Sequence, residues 1–260
     1  MKKIMFVFMA VFGLLSAPAY SQLKNMILIE EATNASCGPC AGQNPILEKF
    51  LNDNSDAVIG DSYHAWWPGS TEIMYLNDKT MNEQRINYYG FGSIGVPTCV
   101  VGGSYTKASE GWYKGAPGDV DALTSAVDSQ KLLVSPVSLD VKRFTQLDSE
   151  QVFVSISSTA ALTNASLRVI VVEGEHEYTD AGNNGETIFR NIARKMLPAY
   201  VGKKFSLAAG ASTSFVYKYK YNPDWTTDQL RIIAFVQTDK DKAITAAVQT
   251  TAPPSQGFMR

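Results

Sequence analysis

Two cysteines, in Cys37-Gly38-Pro39-Cys40, separate an apolar run, Met26-Ile27-Leu28-Ile29, from the stretch Asn44 to Leu51. In that stretch Ile46, Leu47, Phe50 and Leu51 recur at helical spacing. The order reads as buried strand, turn and helix, and sets Cys37 at the helix N-terminus. Unpaired amides and the helix dipole stabilise a thiolate there. Cys37 is therefore expected to be partly exposed and nucleophilic. Cys40 falls one turn further in, shielded, and is placed to attack a mixed disulfide formed on Cys37. Pro39 sits in the first turn, where its missing N–H costs nothing. A disulfide closing so small a ring gains little loop entropy, so the pair is read as chemistry rather than stapling. Zinc would need two more Cys or His ligands, and only Cys99, His64 and His176 remain, with no second pair. No metal and no cofactor beyond the redox-active disulfide is expected.

The chain has two halves with different patterning. Up to about Gln130, strand-like and helical runs alternate: Met26 to Ile29, then Asn44 to Leu51, then Ala57 to Tyr63. Thr98 to Val101 follows, turned by Gly102-Gly103 toward a hairpin partner near Ser104-Tyr105. Asp119 then caps a last helix carrying Val120, Leu123 and Val127. The first two strands should be parallel and joined by the first helix. Ser70 to Phe91, with Ile73, Leu76, Met81, Ile86 and Tyr89, reads as an inserted helical segment over the sheet. It either shapes a substrate groove or simply covers core.

After Leu132 come strand-like runs: Val137 to Val141, Val152 to Ile156, Leu167 to Val172, Phe215 to Tyr221, Ile232 to Gln237 and Ala243 to Val248. Their turn-separated spacing fits an antiparallel β-sandwich of about seven strands. Ile192 to Leu197 reads equally as short helix or strand. The expected organisation is a leader over 1–21, an α/β domain over 22–132 with its insertion at about 70–91, a β-sandwich over 133–250 and a disordered tail over 251–260.

The leader reading rests on Lys2 and Lys3, the apolar run Ile4 to Leu15, and the small residues of Ala19-Tyr20-Ser21. Formal net charge is −2, and losing the two lysines of residues 1–21 leaves −4. With no Lys/Arg cluster, nucleic acid is not an expected partner. No later segment is long and apolar enough to span a membrane, so the mature chain is read as exported with no transmembrane segment.

The stretch Ile27 to Leu47 resembles thioredoxin over its strand, motif and helix. Pro45 stands five residues after Cys40, as the kinking proline of that family's active-site helix does. Glu31 stands six before Cys37, where thioredoxins carry a buried acid that relays a proton to the resolving thiol. Gly95-Val96-Pro97-Thr98 is similar to the loop that holds a cis-proline opposite the disulfide. The resemblance implies that Val96 and Pro97 dock the backbone of an extended substrate. Departures are Ser36, where thioredoxin has tryptophan, and glutamate for aspartate at Glu31. Glu30 takes that role if the register slips by one, since alternation puts the two on opposite faces.

The whole chain resembles the twenty-eight-kilodalton outer-membrane-protein family of Bacteroidetes. This rests on Leu28-Ile29-Glu30-Glu31-Ala32-Thr33, His64, Tyr88-Tyr89-Gly90 before Val96-Pro97-Thr98, and Asn191 to Pro198. That family pairs a thioredoxin-like half with a β-sandwich, and the resemblance implies a periplasmic, outer-membrane-associated or extracellular location in a Gram-negative bacterium.

Three further features carry weaker readings. Cys99, on a strand, reads as a buried inert thiol. His64 and Trp66-Trp67, after the second strand, either border the motif with Gly38 and Pro39 or merely pack. The loop Glu173 to Glu186, with Asp180, Asn183 and Asn184, reads as a polar turn rather than a calcium loop. The function expected is an exported thiol–disulfide oxidoreductase. Its partners would be protein thiols or disulfides of the envelope and an unidentified redox partner. The alternative is a non-enzymatic envelope or surface binding protein that retains the fold.

Overall fold

The computed structural model describes residues 24–103 and 113–251. The expected leader, the hairpin partner near Ser104-Tyr105 and the tail over 252–260 lie outside those residues. The first half opens with β1 (Ile27–Thr33), α1 (Gly38–Asp53) and β2 (Val58–His64). β1 and β2 run parallel from Ile27 opposite Val58 to Thr33 opposite His64, so α1 is their crossover. The segment after β2 forms α2 (Ile73–Asn77) and α3 (Lys79–Tyr89). β3 (Thr98–Val101) pairs antiparallel with β1, and β4 (Tyr113–Gly115) with β3. α4 (Val120–Lys131) closes the half, its first turn capped by the Asp119 carboxylate, which accepts from the Ala122 amide at 3.1 Å. Ile46, Leu76 and Val120, expected on apolar faces, are instead 40%, 41% and 42% exposed.

The second half is all strand among its described residues, apart from one 3-10 turn at Thr227–Gln229. It comprises β5 (Val137–Thr145), β6 (Ser149–Ser158), β7 (Leu162–Glu177), β8 (Ile188–Leu197), β9 (Lys203–Leu207), β10 (Ser212–Lys220), β11 (Leu230–Thr238) and β12 (Ile244–Gln249). Ile192 to Leu197, readable as helix or strand, belongs to β8. β5, β6 and β10 make a three-stranded antiparallel sheet. The remaining strands join the first half in one mixed sheet, ordered β12-β11-β7-β8-β2-β1-β3-β4, with β9 paired to β7. The junction is the parallel contact of β2 with β8, where Ser62 faces Ile192. This sheet curls until its β12 edge reaches the ends of β1 and β3: Met26 N–H donates to the Ala247 carbonyl (2.8 Å) and Ile244 N–H to the Gly102 carbonyl (2.9 Å).

Side-chain alternation gives the two faces of this sheet to different cores. On β7, Leu167, Val169 and Val171 face the three-stranded sheet, while Ile170 and Val172 face inside the curl. β11 does the same with Ile232, Ala234 and Val236 on one side and Ile233 and Phe235 on the other. Under α1 and α4 lies the third core, of Ile29, Leu47, Phe50, Cys99 and Leu123. At ~1.5–3 kcal/mol for each large apolar side chain fully buried, the interior of the curl binds the halves strongly. A polar network is sunk into it. Arg85, on α3, donates to both oxygens of Glu30 at 2.7 Å and to Gln237 on β11 at 3.1 Å. The first half's insertion is thereby tied to the second half's sheet.

Candidate functional site

Cys37 is the N-cap of α1 and is joined to Cys40 in a disulfide. Its carbonyl and Sγ meet the first turn: the Cys40 amide donates to Cys37 Sγ at 3.1 Å. This is the contact that lowers the cost of a negative sulfur, because an orphan helix amide already points at it. The Val96 carbonyl oxygen lies 3.4 Å from Cys37 Sγ, and the Val96–Pro97 peptide bond is cis. Gly38 and Pro39 are exposed, and Cys40 is fully buried. Motif and proline loop are thus brought together. The expectation of a partly exposed Cys37 needs correction, since the residue is only 3% exposed. Val96 closes one side, and a loop from the second half holds the backbone on another.

That loop joins β7 to β8 and docks on residues 34–37. Asn184 N–H donates to the Ala35 carbonyl (3.1 Å), and the Asn184 side-chain amide to the carbonyls of Cys37 (3.1 Å) and Asn34 (3.4 Å). Gly182 lies so close that a methyl group there would run into the Ala35 carbonyl. Glu186 accepts from the side-chain amides of Asn184 (2.5 Å) and Asn44 (2.9 Å). Sequence reasoning saw only a polar turn here. No local signal links Asn184 to a motif 147 residues away.

Glu31 and Glu30 separate as alternation requires. Glu30 faces Arg85 inside the curl; Glu31, 3% exposed, faces the α1 side, opposite Ser62 on β2 and Cys99 on β3. Ser62 Oγ donates to Glu31 Oε2 at 3.0 Å, while Oε1 has no hydrogen-bond partner. Burial pushes the Glu31 carboxyl up to about 8, against the lowering effect of Ser62 and with help from the charges of Glu186 and Glu48. A carboxyl held there keeps its proton at neutral pH.

His64 is buried and pairs through Nδ1 with Glu72, the residue preceding α2. The other Glu72 oxygen accepts from the Ala35 amide at 2.6 Å. This pair therefore holds the entry to the motif, with no direct contact between His64 and the sulfurs. The side-chain amide of Asn34 donates to the carbonyls of Ala65 (2.7 Å) and Gly69 (2.9 Å), and its oxygen accepts from Ser36 N–H (2.8 Å). Gly69 in turn packs on the Ser36 side chain. Trp66 and Trp67, half-buried and edge-on to each other at 4.4 Å, border this loop and pack on the interior of the curl. Asn34, Glu72 and Asn44 escaped the sequence reading. Asn34 alone had a local cue, an Asx turn two residues before Ser36.

Cys99 is free and fully buried, and burial first, then Glu31 and Asp119, push its thiol well up. Among the described residues no group of three or more His, Cys, Asp and Glu is gathered as a metal ion needs. His176 stacks on Tyr178 (4.0 Å) and pairs with Glu173 (2.6 Å).

No protein-family model matches the sequence, and no curated protein matches it. Solved structures do. HBP35 of Porphyromonas gingivalis superposes with a TM-score of 0.72 at 17% identity, over 90% of this chain and 78% of that one. Protein AGR_C_4864 from Agrobacterium tumefaciens gives 0.58 at 15%, over 92% and 98%. At these identities the likeness is one of fold. A domain of the outer membrane lipoprotein Omp28 from Porphyromonas gingivalis matches 47% of this chain and 92% of its own, at a TM-score of 0.34 and 14% identity.

Proposed function

We propose that the chain is an exported thiol–disulfide oxidoreductase, a thioredoxin-like unit followed by an immunoglobulin-like sandwich. It would act on protein disulfides in the periplasm or at the outer membrane. One observation carries the reading: the Cys37–Cys40 pair caps α1, with the Cys40 amide on one side of Cys37 Sγ and the Val96 carbonyl on the other. In the reduced protein the Cys37 thiolate attacks a substrate disulfide, forming a Cys37–substrate disulfide and releasing one substrate thiolate. Glu31, which already carries a proton at neutral pH, passes that proton outward as it takes the one Cys40 Sγ gives up, and Cys40 attacks Cys37 Sγ. This re-forms the Cys37–Cys40 disulfide and releases the second thiolate. Two electrons pass from protein to substrate, and a dithiol partner restores the reduced pair. Val96 and Pro97 dock the substrate backbone, Gly38, Pro39 and Trp66 frame the entrance, and His64 supports it from beneath through Glu72.

Purified full chain should reduce insulin with a dithiol donor or reactivate scrambled ribonuclease, and Cys37→Ser should lower either rate about a hundredfold or more. The burial of Cys37 favours one rival, an envelope binding protein in which the disulfide is a lock. Wild-type protein inert in both assays would favour that rival.

A further inference from the structure

A cavity of about 20 Å³ lies between α1 and the sheet, lined by Glu31, Thr33, Asn44, Ser62, His64 and Glu186. That is room for about one water molecule. Both halves line it, and Glu186 comes from the loop that docks on the motif. Glu31 enters it with Oε1 fully buried and unpartnered. Such an oxygen costs ~1–3 kcal/mol unless something satisfies it, and the cavity offers the site for a bridging water. Glu186 is half-buried and Glu48 and Arg190 also border the cavity, so this is the side on which solvent is nearest.

Cys40 lies on the helix face whose Asn44 and Leu47 line the cavity, one turn before Asn44. Cys40, Asn44 and Leu47 recur at helical spacing and are all buried against the sheet. Asn44 is the connector: its side-chain amide donates to Thr33 Oγ1 (3.1 Å) and to Glu186 Oε1 (2.9 Å). We propose that Glu186 is the second carboxylate of the redox site, carrying the Cys40 proton onward from Glu31 through the cavity they share. This rests on the thiol–disulfide reading above. As Cys40 attacks Cys37, Glu31 hands the proton it already carries through a water in the cavity to Glu186 and takes the Cys40 proton in its place; Glu186 then gives its proton to solvent. No bond other than these O–H and S–H bonds changes. Glu186 acts through Glu31 and is a positioning and relay residue, not one that touches substrate.

The charged and titratable groups around Glu31 single out Glu186. On α1, Glu48 is already paired with Arg190 at 2.7 Å, and Arg190 also holds Glu175. On β2, His64 is committed to Glu72; on β3, Cys99 is a neutral buried thiol. Among the neighbours named here Glu186 is the carboxylate without a cationic partner, its hydrogen bonds coming from the two asparagines.

The test uses the full chain with carboxyl-labelled glutamate and follows the Glu31 titration by NMR in wild type, Glu186→Gln, Glu186→Asp and Glu48→Gln. Loss of the Glu186 charge should lower the Glu31 midpoint by about 0.5–1 unit, more than Glu48→Gln does, and Glu186→Asp should restore it. In parallel, release of a peptide from its mixed disulfide with Cys37 should slow about three- to tenfold in Glu186→Gln, with its pH profile moved down by the same amount. Should the glutamine variant not fold, Glu186→Ser removes the same charge and carries the same expectation. A Glu31 midpoint unchanged within about 0.2 unit, in a folded variant, overturns the relay. Wild type that exchanges no thiols overturns the exchange reading instead, and the Glu31 titration still reports whether the two carboxylates are paired.

Discussion

Glu30 and Glu31 are neighbours in sequence that enter opposite chemistries, and the difference is one peptide unit of strand pleat. Glu30 is a charged partner for Arg85, held by two hydrogen bonds of 2.7 Å. Glu31 has a single hydroxyl donor and lies under α1, where burial holds its carboxyl near 8. Between the ordinary carboxylate value and about 8, the folded chain keeps a proton that the unfolded chain has lost. Stability attributable to Glu31 therefore falls as pH rises through that window. Glu31→Gln should make the protein about 2–4 kcal/mol more stable than wild type at pH 9 and change it by less than about 1 kcal/mol at pH 5, read by urea denaturation. An equal effect at both pH values would contradict a protonated Glu31. Glu72, by contrast, has both oxygens engaged, one by His64 and one by the Ala35 amide. Glu72→Ala strands both groups and should cost about 3–5 kcal/mol by the same denaturation measurement.

At the scale of elements, the docking loop between β7 and β8 is the feature that turns a strand–helix motif into an enclosed site. Gly182 has no room for a side chain against the Ala35 carbonyl, a backbone atom that cannot swing aside. Gly182→Ala should lift the loop, speed alkylation of reduced Cys37 several-fold and increase amide exchange at residues 34–37; unchanged alkylation would mean that the loop does not restrict access. The parallel β1–α1–β2 unit was legible because each element carries its own period and the motif marks the turn. Strands such as Leu167 to Val172 and Ile232 to Gln237 were legible as strands. In the fold both of their faces are buried, one on the sandwich core and one inside the curl. Illegible were the partners of those faces and the docking loop. Asn184 and Glu186 are ordinary turn residues until a fold carries them onto Cys37, and no local preference encodes a contact across 147 positions.

In the whole molecule, one sheet runs through both halves. β8 lies beside β2, β12 returns to Met26, and Arg85 reaches from α3 to Gln237. Halves that share a sheet, an apolar interior and a buried ion network should unfold together, giving one calorimetric transition with matching van't Hoff and calorimetric enthalpies. Two separated transitions would show that the halves are stable alone. The same arrangement makes the redox site a joint product, with sulfurs from the first half and the clamp of Asn184 and Glu186 from the second. Whether that joint site exchanges disulfides is best read by mass spectrometry of the full-length Cys40→Ser protein after incubation with a disulfide-bonded peptide. Exchange predicts one peptide per chain, attached at Cys37, with Cys99 unmodified. Absence of an adduct at Cys37 in folded, reduced protein would contradict it.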